Sequence, residues 1–318
     1  MIGISIGDAN GVGPEILLRT FKDKKLEGNF IAIGDYSVLN FCNHYLKLNV
    51  PLYKMQAIDD FEPGFLNTYD LGVLSENDVV IGQISNKTGH ASLEYVKTGA
   101  QMAMQKKIDA LVTLPINKQA IRDTVKDFSG HTGYIASLCN TTIYTMMLVS
   151  EKLIVTHVST HVSMKEAVDQ VRKERILDVI RLTDEALKKL KKPSRIAVAG
   201  LNPHAGENNS FGNEDSEEIA PAVKLAIEGG INAAGPLAAD TVFYRAKKGL
   251  YDAVVCMYHD QGHIPIKLLD FEAAVNVTLG LPVVRTSVDH GTAFDIAYRG
   301  IASTSSFCNA YELAKKLI

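Results

Sequence analysis

Apolar residues along this chain follow two rhythms that alternate nearly from end to end. Short runs rich in β-branched and aliphatic side chains read as buried strands: Ile2–Ile6, Phe30–Ile33, Ala110–Leu114, Met146–Val149, Ile154–Val158, Arg195–Ala199, Ala253–Met257, Ala274–Val277 and Val283–Arg285. Helical patterns lie between them at Pro14–Phe21, Ala91–Gln105, Met164–Val171, Glu174–Leu190 and Glu217–Ala226. Pro14 stands at a helix start, where its missing N–H costs nothing. Lys188, Lys189, Lys191 and Lys192 close another helix against the negative end of its dipole, and Pro193 stops it. The alternation predicts an α/β fold with largely parallel sheets covered by helices.

A chain of 318 residues exceeds what one hydrophobic core usually organises, so two α/β/α lobes with a cleft between them are expected. No Pro/Gly/Ser-rich linker separates them, which predicts a chain that passes between lobes more than once. We place one lobe at 1–128 plus 264–318 and the other at 129–263. Hydrophobic residues at 46% and charged residues at 22% are ordinary for a soluble globular protein. The 33 basic and 36 acidic side chains leave a net charge of -3, which offers no footprint for nucleic acid or an anionic membrane. Met1–Ile6 lacks a basic leader and runs at once into Gly7-Asp8, so it reads as a first strand of a cytoplasmic protein rather than a signal peptide. Cys42, Cys139, Cys256 and Cys308 stand apart without CxxC spacing and read as reduced thiols, mostly buried.

Three histidines stand where apolar runs give way to polar ones. They are His161, His204 within Asn202-Pro203-His204-Ala205-Gly206-Glu207, and His259 within Met257-Tyr258-His259-Asp260-Gln261. Strand ends are where α/β proteins place ligands, and neutral imidazoles hold a borderline divalent metal while leaving positions open for water or substrate. His157 and His263, four residues from His161 and His259, read as support for those ligands, or as a core histidine and a loop histidine respectively. Glu207, Glu214 and Asp215 flank a Gly/Asn-rich stretch that reads as a solvated loop or as a cover for the cleft.

Anion-binding candidates are separate. The opening Gly7-Asp8-Ala9-Asn10-Gly11-Val12-Gly13-Pro14-Glu15 is either a ligand loop or a tight turn. His131-Thr132 opens a helical stretch and is either an anion site at a positive helix end or a cap. Lys267, Asn276 and Arg285 punctuate a largely apolar stretch and suit a small anionic substrate, with isolated surface cations as the other reading.

Ser287-Val288-Asp289-His290-Gly291-Thr292-Ala293, followed by Asp295-Ile296-Ala297, resembles the adenosine-binding loop of isocitrate and isopropylmalate dehydrogenases. That resemblance implies a nicotinamide cofactor, NAD or NADP, at His290, Gly291 and Thr292, without a Rossmann fingerprint. Further strings occur in the same order: the glycine-rich opening, Ser129-Gly130-His131-Thr132, Gly200-Leu201-Asn202-Pro203-His204-Ala205-Gly206-Glu207, Ala239-Asp240-Thr241, Met257-Tyr258-His259-Asp260-Gln261-Gly262, and Asn276 through Ala293. Together they resemble the 4-hydroxythreonine-4-phosphate dehydrogenase family over nearly the whole chain.

The resemblance implies oxidation of 4-phosphohydroxy-L-threonine at C3 with NAD(P). Decarboxylation to 3-amino-2-oxopropyl phosphate follows, in pyridoxal 5'-phosphate biosynthesis. It implies an isopropylmalate dehydrogenase-like fold and a homodimer whose metal sites share ligands across the interface. His161, His204 and His259 match the family's ligands for one divalent ion, zinc, magnesium, cobalt or manganese. His131, Thr132, Lys267, Asn276 and Arg285 match its substrate-binding positions. Asp240 reads as a metal ligand, as a carboxylate that orients a ligand histidine, or as a helix N-cap. Lys118, after a buried strand, is the candidate proton acceptor, which requires desolvation or cationic neighbours to lower its pKa. Gly133 departs from the pattern, since the family commonly carries an acidic residue there. The related substrates threonate or erythronate phosphate therefore stay in view, as does phosphate acyl transfer on the same fold.

Overall fold

Each expected strand forms, and others join them. In chain order the computed structural model has strands β1 (Ile2–Ser5), β2 (Phe30–Gly34), β3 (Leu52–Met55), β4 (Leu66–Asp70), β5 (Ala110–Thr113), β6 (Thr145–Val149), β7 (Ile154–His157), β8 (Ile196–Ala199), β9 (Ala233–Leu237), β10 (Ala253–Cys256), β11 (Val275–Leu279) and β12 (Val284–Val288). Its helices are α1 (Gly13–Lys22), α2 (Tyr36–Tyr45), α3 (Asn86–Met104), α4 (Lys118–Arg122), α5 (His131–Leu138), α6 (Met164–Asp169), α7 (Lys173–Lys189), α8 (Ala220–Glu228), α9 (Ala239–Lys247), α10 (His259–Leu269) and α11 (Ser305–Leu317). The structure describes every residue except 123, 124, 126, 127, 129, 271 and 272, so Ser129 of the quoted motif lies outside the described residues. Among the described residues, no helix is long and apolar enough to cross a membrane.

One compact unit comprises Met1–Thr141 and Leu281–Lys316, the other Thr142–Gly280. This division places α5 in the first unit and the whole of α10 and β11 in the second, with boundaries at 141/142 and 280/281. In the first unit the strands run β3-β4-β2-β1-β5-β12, each pair parallel. β1, β2 and β5 are buried along their whole length, which is why they appear as continuous apolar runs. In the second unit the order is β11-β6-β7-β10-β8-β9, with β6 antiparallel to both neighbours and the remaining pairs parallel. Its core joins Leu148, Val155, Ala197, Val254 and Cys256 from the strands to Val242 of α9 and Ile266 of α10.

The sequence pattern misses β3, β4 and β9. β3 is a half-exposed edge strand, and β9 contains Gly235-Pro236, residues that argue against a strand unless it lies at an edge, as this one does. The helix expected over Glu217–Ala226 is divided. A wide π turn spans Asp215–Ile219 before α8, where Pro221 supplies no N–H to a regular helical ladder.

Candidate active site

Parallel pairing of β12 with β5 sets Arg285 beside Leu111 and Ser287 beside Thr113. Arg285 is only 2% exposed, which removes the surface-cation reading for this residue. Its Nη2 donates to Thr113 Oγ1 at 2.7 Å, and burial pushes its pKa down to about 9. His131 is the first residue of α5, behind Gly130 at the cap position, so neither His131 nor Thr132 is the cap. Gly130 has φ 138, and a Cβ there would lie 3.2 Å from Lys118 Cε and 3.4 Å from its Nζ. Glycine therefore lets the Lys118 ammonium approach the start of α5.

The charges acting on His131 are both cationic. Burial first, then Arg285 and Lys118, hold its imidazole well below the usual histidine range, so it is neutral at pH 7. Its Nε2 is buried and meets no hydrogen-bond partner among the described residues. Desolvation first, then the Arg122 charge, also lowers the Lys118 pKa. A neutral ring, a buried guanidinium, an ammonium and a helix N-terminus in one place suit a phosphate or carboxylate.

In the second unit, His161 and His259 come together with their ring centroids 5.6 Å apart. His259 opens α10 rather than a loop, and its Nδ1 donates to Asp260 Oδ1 at 2.6 Å. A carboxylate on one nitrogen fixes the tautomer that leaves the other lone pair for a cation, the common arrangement of metal-bound histidine. The donor set thus fits a borderline divalent ion. His263, expected to support a ligand or to sit on a loop, lies inside α10 and is buried, stacked on His259 at 3.6 Å between centroids and 12° between planes. His157 ends β7, fully buried, with centroids 4.8 Å from His263 and 6.4 Å from His259. Burial, the largest influence on both, lowers the pKa of His157 to about 4 and that of His263 to about 3.

His204 stands on a separate exposed turn, its ring 6.4 Å from that of Phe211. His204, Ala205, Glu207, Asn208 and Asn209 all have positive φ, between 38° and 68°, a costly conformation that concentrates at functional sites. Asp215 holds this turn. Expected in a solvated loop or cover, it is 2% exposed and accepts from the backbone N–H groups of Leu201 and Asn202 at 2.9 and 3.1 Å. Among the described residues no three His, Cys, Asp or Glu side chains of one chain form a metal cage. Asp240 is exposed in the first turn of α9, where Ala238 holds the cap position, so the capping role is not its own. Lys267 of α10 and Asn276 of β11 are half-buried.

The glycine-rich opening proves to be a packed turn rather than an open anion loop. Its N–H groups at Asp8, Asn10, Gly11 and Val12 bond Pro115 O, Asp8 Oδ1, Asp8 O and Thr292 O. The last bond ties the turn to the loop that begins at His290. There His290 and Gly291 are exposed, Thr292 is buried, and His290 Nδ1 donates to Gly291 O at 3.0 Å. The four cysteines are free thiols, with Cys42 and Cys256 buried and Cys139 and Cys308 half-buried.

Residues 27–314 match the family model described as pyridoxal phosphate biosynthetic protein PdxA. The chain belongs to this family. A protein of Oceanobacillus iheyensis, named as a candidate D-threonate 4-phosphate dehydrogenase, is 45% identical over 100% of this chain and 97% of its own. The solved structure of a candidate 4-hydroxythreonine-4-phosphate dehydrogenase from Salmonella typhimurium is 38% identical. It superposes with a TM-score of 0.91 over 100% of this chain and 99% of that one. A phosphotransacetylase from Staphylococcus aureus shares the fold alone, at 12% identity and a TM-score of 0.57 over 98% and 94% of the two chains. The PdxA-family chain is accordingly a dehydrogenase-type oxidoreductase, of a family that implies a nicotinamide cofactor and a metal.

Sequence reasoning on this PdxA-family chain missed Thr113, which anchors Arg285, and the buried role of Asp215. Thr113 carried a usable signal as the polar residue ending a buried strand. Asp215 carried none, because an acid in a Gly/Asn-rich stretch looks the same solvated or buried.

Proposed function

We propose that this PdxA-family dehydrogenase oxidises D-threonate 4-phosphate at C3 with NAD or NADP and releases carbon dioxide. The observation that carries the reading is the buried guanidinium of Arg285 close to the partly buried, neutral His131 that opens α5, with Lys118 near the same helix start, which suits a small substrate with two anionic groups. Oxidation at C3 turns the substrate into a β-keto acid; loss of its carboxylate leaves the enediol of dihydroxyacetone phosphate, and a proton returned to carbon completes the product.

Roles follow from the side chains. Arg285, His131 and Thr132 bind substrate oxygens, with Lys267 and Asn276 as further contacts. His161, His204 and His259 would hold one divalent cation, zinc, magnesium, cobalt or manganese, with Asp240 as an accessory carboxylate. A second copy of the chain supplies the ligands that one copy does not gather. When bound, such an ion favours the alkoxide and polarises the resulting ketone. Lys118, with its lowered pKa, accepts the hydroxyl proton at Nζ. His290, Gly291 and Thr292 contact the nicotinamide cofactor.

The second reading is 4-phosphohydroxy-L-threonine, favoured by the name of the Salmonella relative, with 3-amino-2-oxopropyl phosphate as product for pyridoxal 5'-phosphate biosynthesis. Gly133 favours the first, because it sets no carboxylate beside His131 and Thr132 to pair with an ammonium group. Rates with D-threonate, D-erythronate and 4-hydroxy-L-threonine phosphates, each with NAD and NADP, test the assignment. The threonate ester should give the highest kcat/KM, and a higher value for the amino substrate overturns the choice.

A further inference from the structure

We propose that His157 and His263 form a hydrogen-bonded pair that fixes the ring of His259, which makes His263 a positioning residue for cation binding. The inference rests on the reading of His259 as a ligand. Its basis is a chain of contacts in which each nitrogen has one permitted role. His157 Nδ1 lies 3.2 Å from Met146 O, and a carbonyl only accepts, so that nitrogen carries the proton. The neutral His157 ring then offers Nε2 as an acceptor. His263 Nδ1 lies 3.2 Å from this atom and 3.0 Å from His259 O, two acceptors, so it also carries a proton. Both rings are thereby held as the Nδ1–H tautomer.

The second ring is the platform for the ligand. His263 stacks on His259 at 3.6 Å and 12°, while Asp260 holds His259 Nδ1 from its edge. With face and edge both fixed, His259 keeps one orientation before any ion arrives, and the ordering cost is met in folding. The packing below explains why Gly262 precedes His263. A Cβ at 262 would lie 2.6 Å from His157 Nε2 and 2.9 Å from Cys256 Sγ, so a larger residue would drive the first turn of α10 off the pair.

The test uses the full chain and zinc, with affinity read by competition against a chromophoric chelator. His263→Asn keeps a donor near the position of Nδ1 but removes the ring, whereas His263→Phe keeps the ring and removes the donor. Each should weaken zinc binding about 10- to 100-fold, the usual effect of removing a ligand's support, with little change in thermal midpoint. Wild-type affinity in both variants overturns the proposal. His259→Ala separates the two claims: its loss of affinity upholds the ligand reading, and zinc bound as tightly as by the wild type removes that reading and this inference together. Nitrogen-15 spectra of histidine in the metal-free wild type supply a readout that no misfolded variant can obscure. The Nδ1–H form at both His157 and His263 supports the relay, and Nε2–H at either refutes it.

Discussion

Replacing Arg285 with methionine removes the buried guanidinium while leaving an unbranched side chain in its place. A hydrogen bond involving a charged group contributes about 1.5–3 kcal/mol. At 1.4 kcal/mol per tenfold, KM for D-threonate 4-phosphate should rise about 10- to 100-fold. The rise belongs to KM rather than kcat, because the substrate oxygens held there carry the same charge before and during oxidation. Stability should move differently. Burial shifts Arg285 from 12.5 to about 9, and at 1.36 kcal/mol per unit this opposes the charged form by roughly 5 kcal/mol as an upper bound. A base whose folded pKa is depressed carries that penalty at every pH below the folded value, neutral pH included. The Thr113 bond returns only about 1 kcal/mol of it. Ligand-free Arg285→Met should therefore unfold no earlier than the wild type, while losing most of the thermal shift that substrate confers. Initial rates and thermal unfolding with and without substrate provide the assay. A KM within about threefold of wild type, or a fall confined to kcat, would refute the reasoning.

Other consequences follow from the same groups. Activity should rise with pH through the lowered Lys118 pKa, because the base acts unprotonated; Lys118→Met should cost about 100-fold and flatten that limb of the pH–rate profile. His131 is buried neutral, so its contribution to stability is complete above pH about 6.5 and is lost as the pH falls toward its lower folded pKa. Thermal midpoints measured from pH 7 down to 5 should show that decline, and it should be shallower in His131→Asn. Chelation should abolish turnover, with recovery on adding back zinc, manganese, cobalt or magnesium; full activity in excess chelator contradicts the metal assignment. Gly133→Glu should shift the kcat/KM ratio toward 4-phosphohydroxy-L-threonine by about tenfold, through a charge pair with its ammonium group; an unchanged ratio would remove Gly133 from selection.

The α/β alternation was legible because interior parallel strands such as β1 and β5 are buried on both faces and appear as unbroken apolar runs. Edge strands β3 and β9 were not, since half their surface faces water and one contains a proline. The approach of His161 to His259 was anticipated from strand-end positions. The helical start of α10 was not, because Gly262 and Pro265 disguise its period. Arg285 could be singled out as a cation in an apolar stretch, yet its burial depends on β12 pairing with β5, a contact between residues more than 170 positions apart. His157 and His263 stayed open between support for the ligands and a core or loop position, because their meaning lies in mutual geometry, which spacing along the chain does not encode.

Anomalous scattering from crystals grown with zinc tests the central claim most directly. The account predicts one strong peak per chain bounded by His161, His204 and His259, with ligands drawn from both copies of a dimer. A zinc-replete crystal in which these imidazoles point to separate places, with no peak among them, would contradict it.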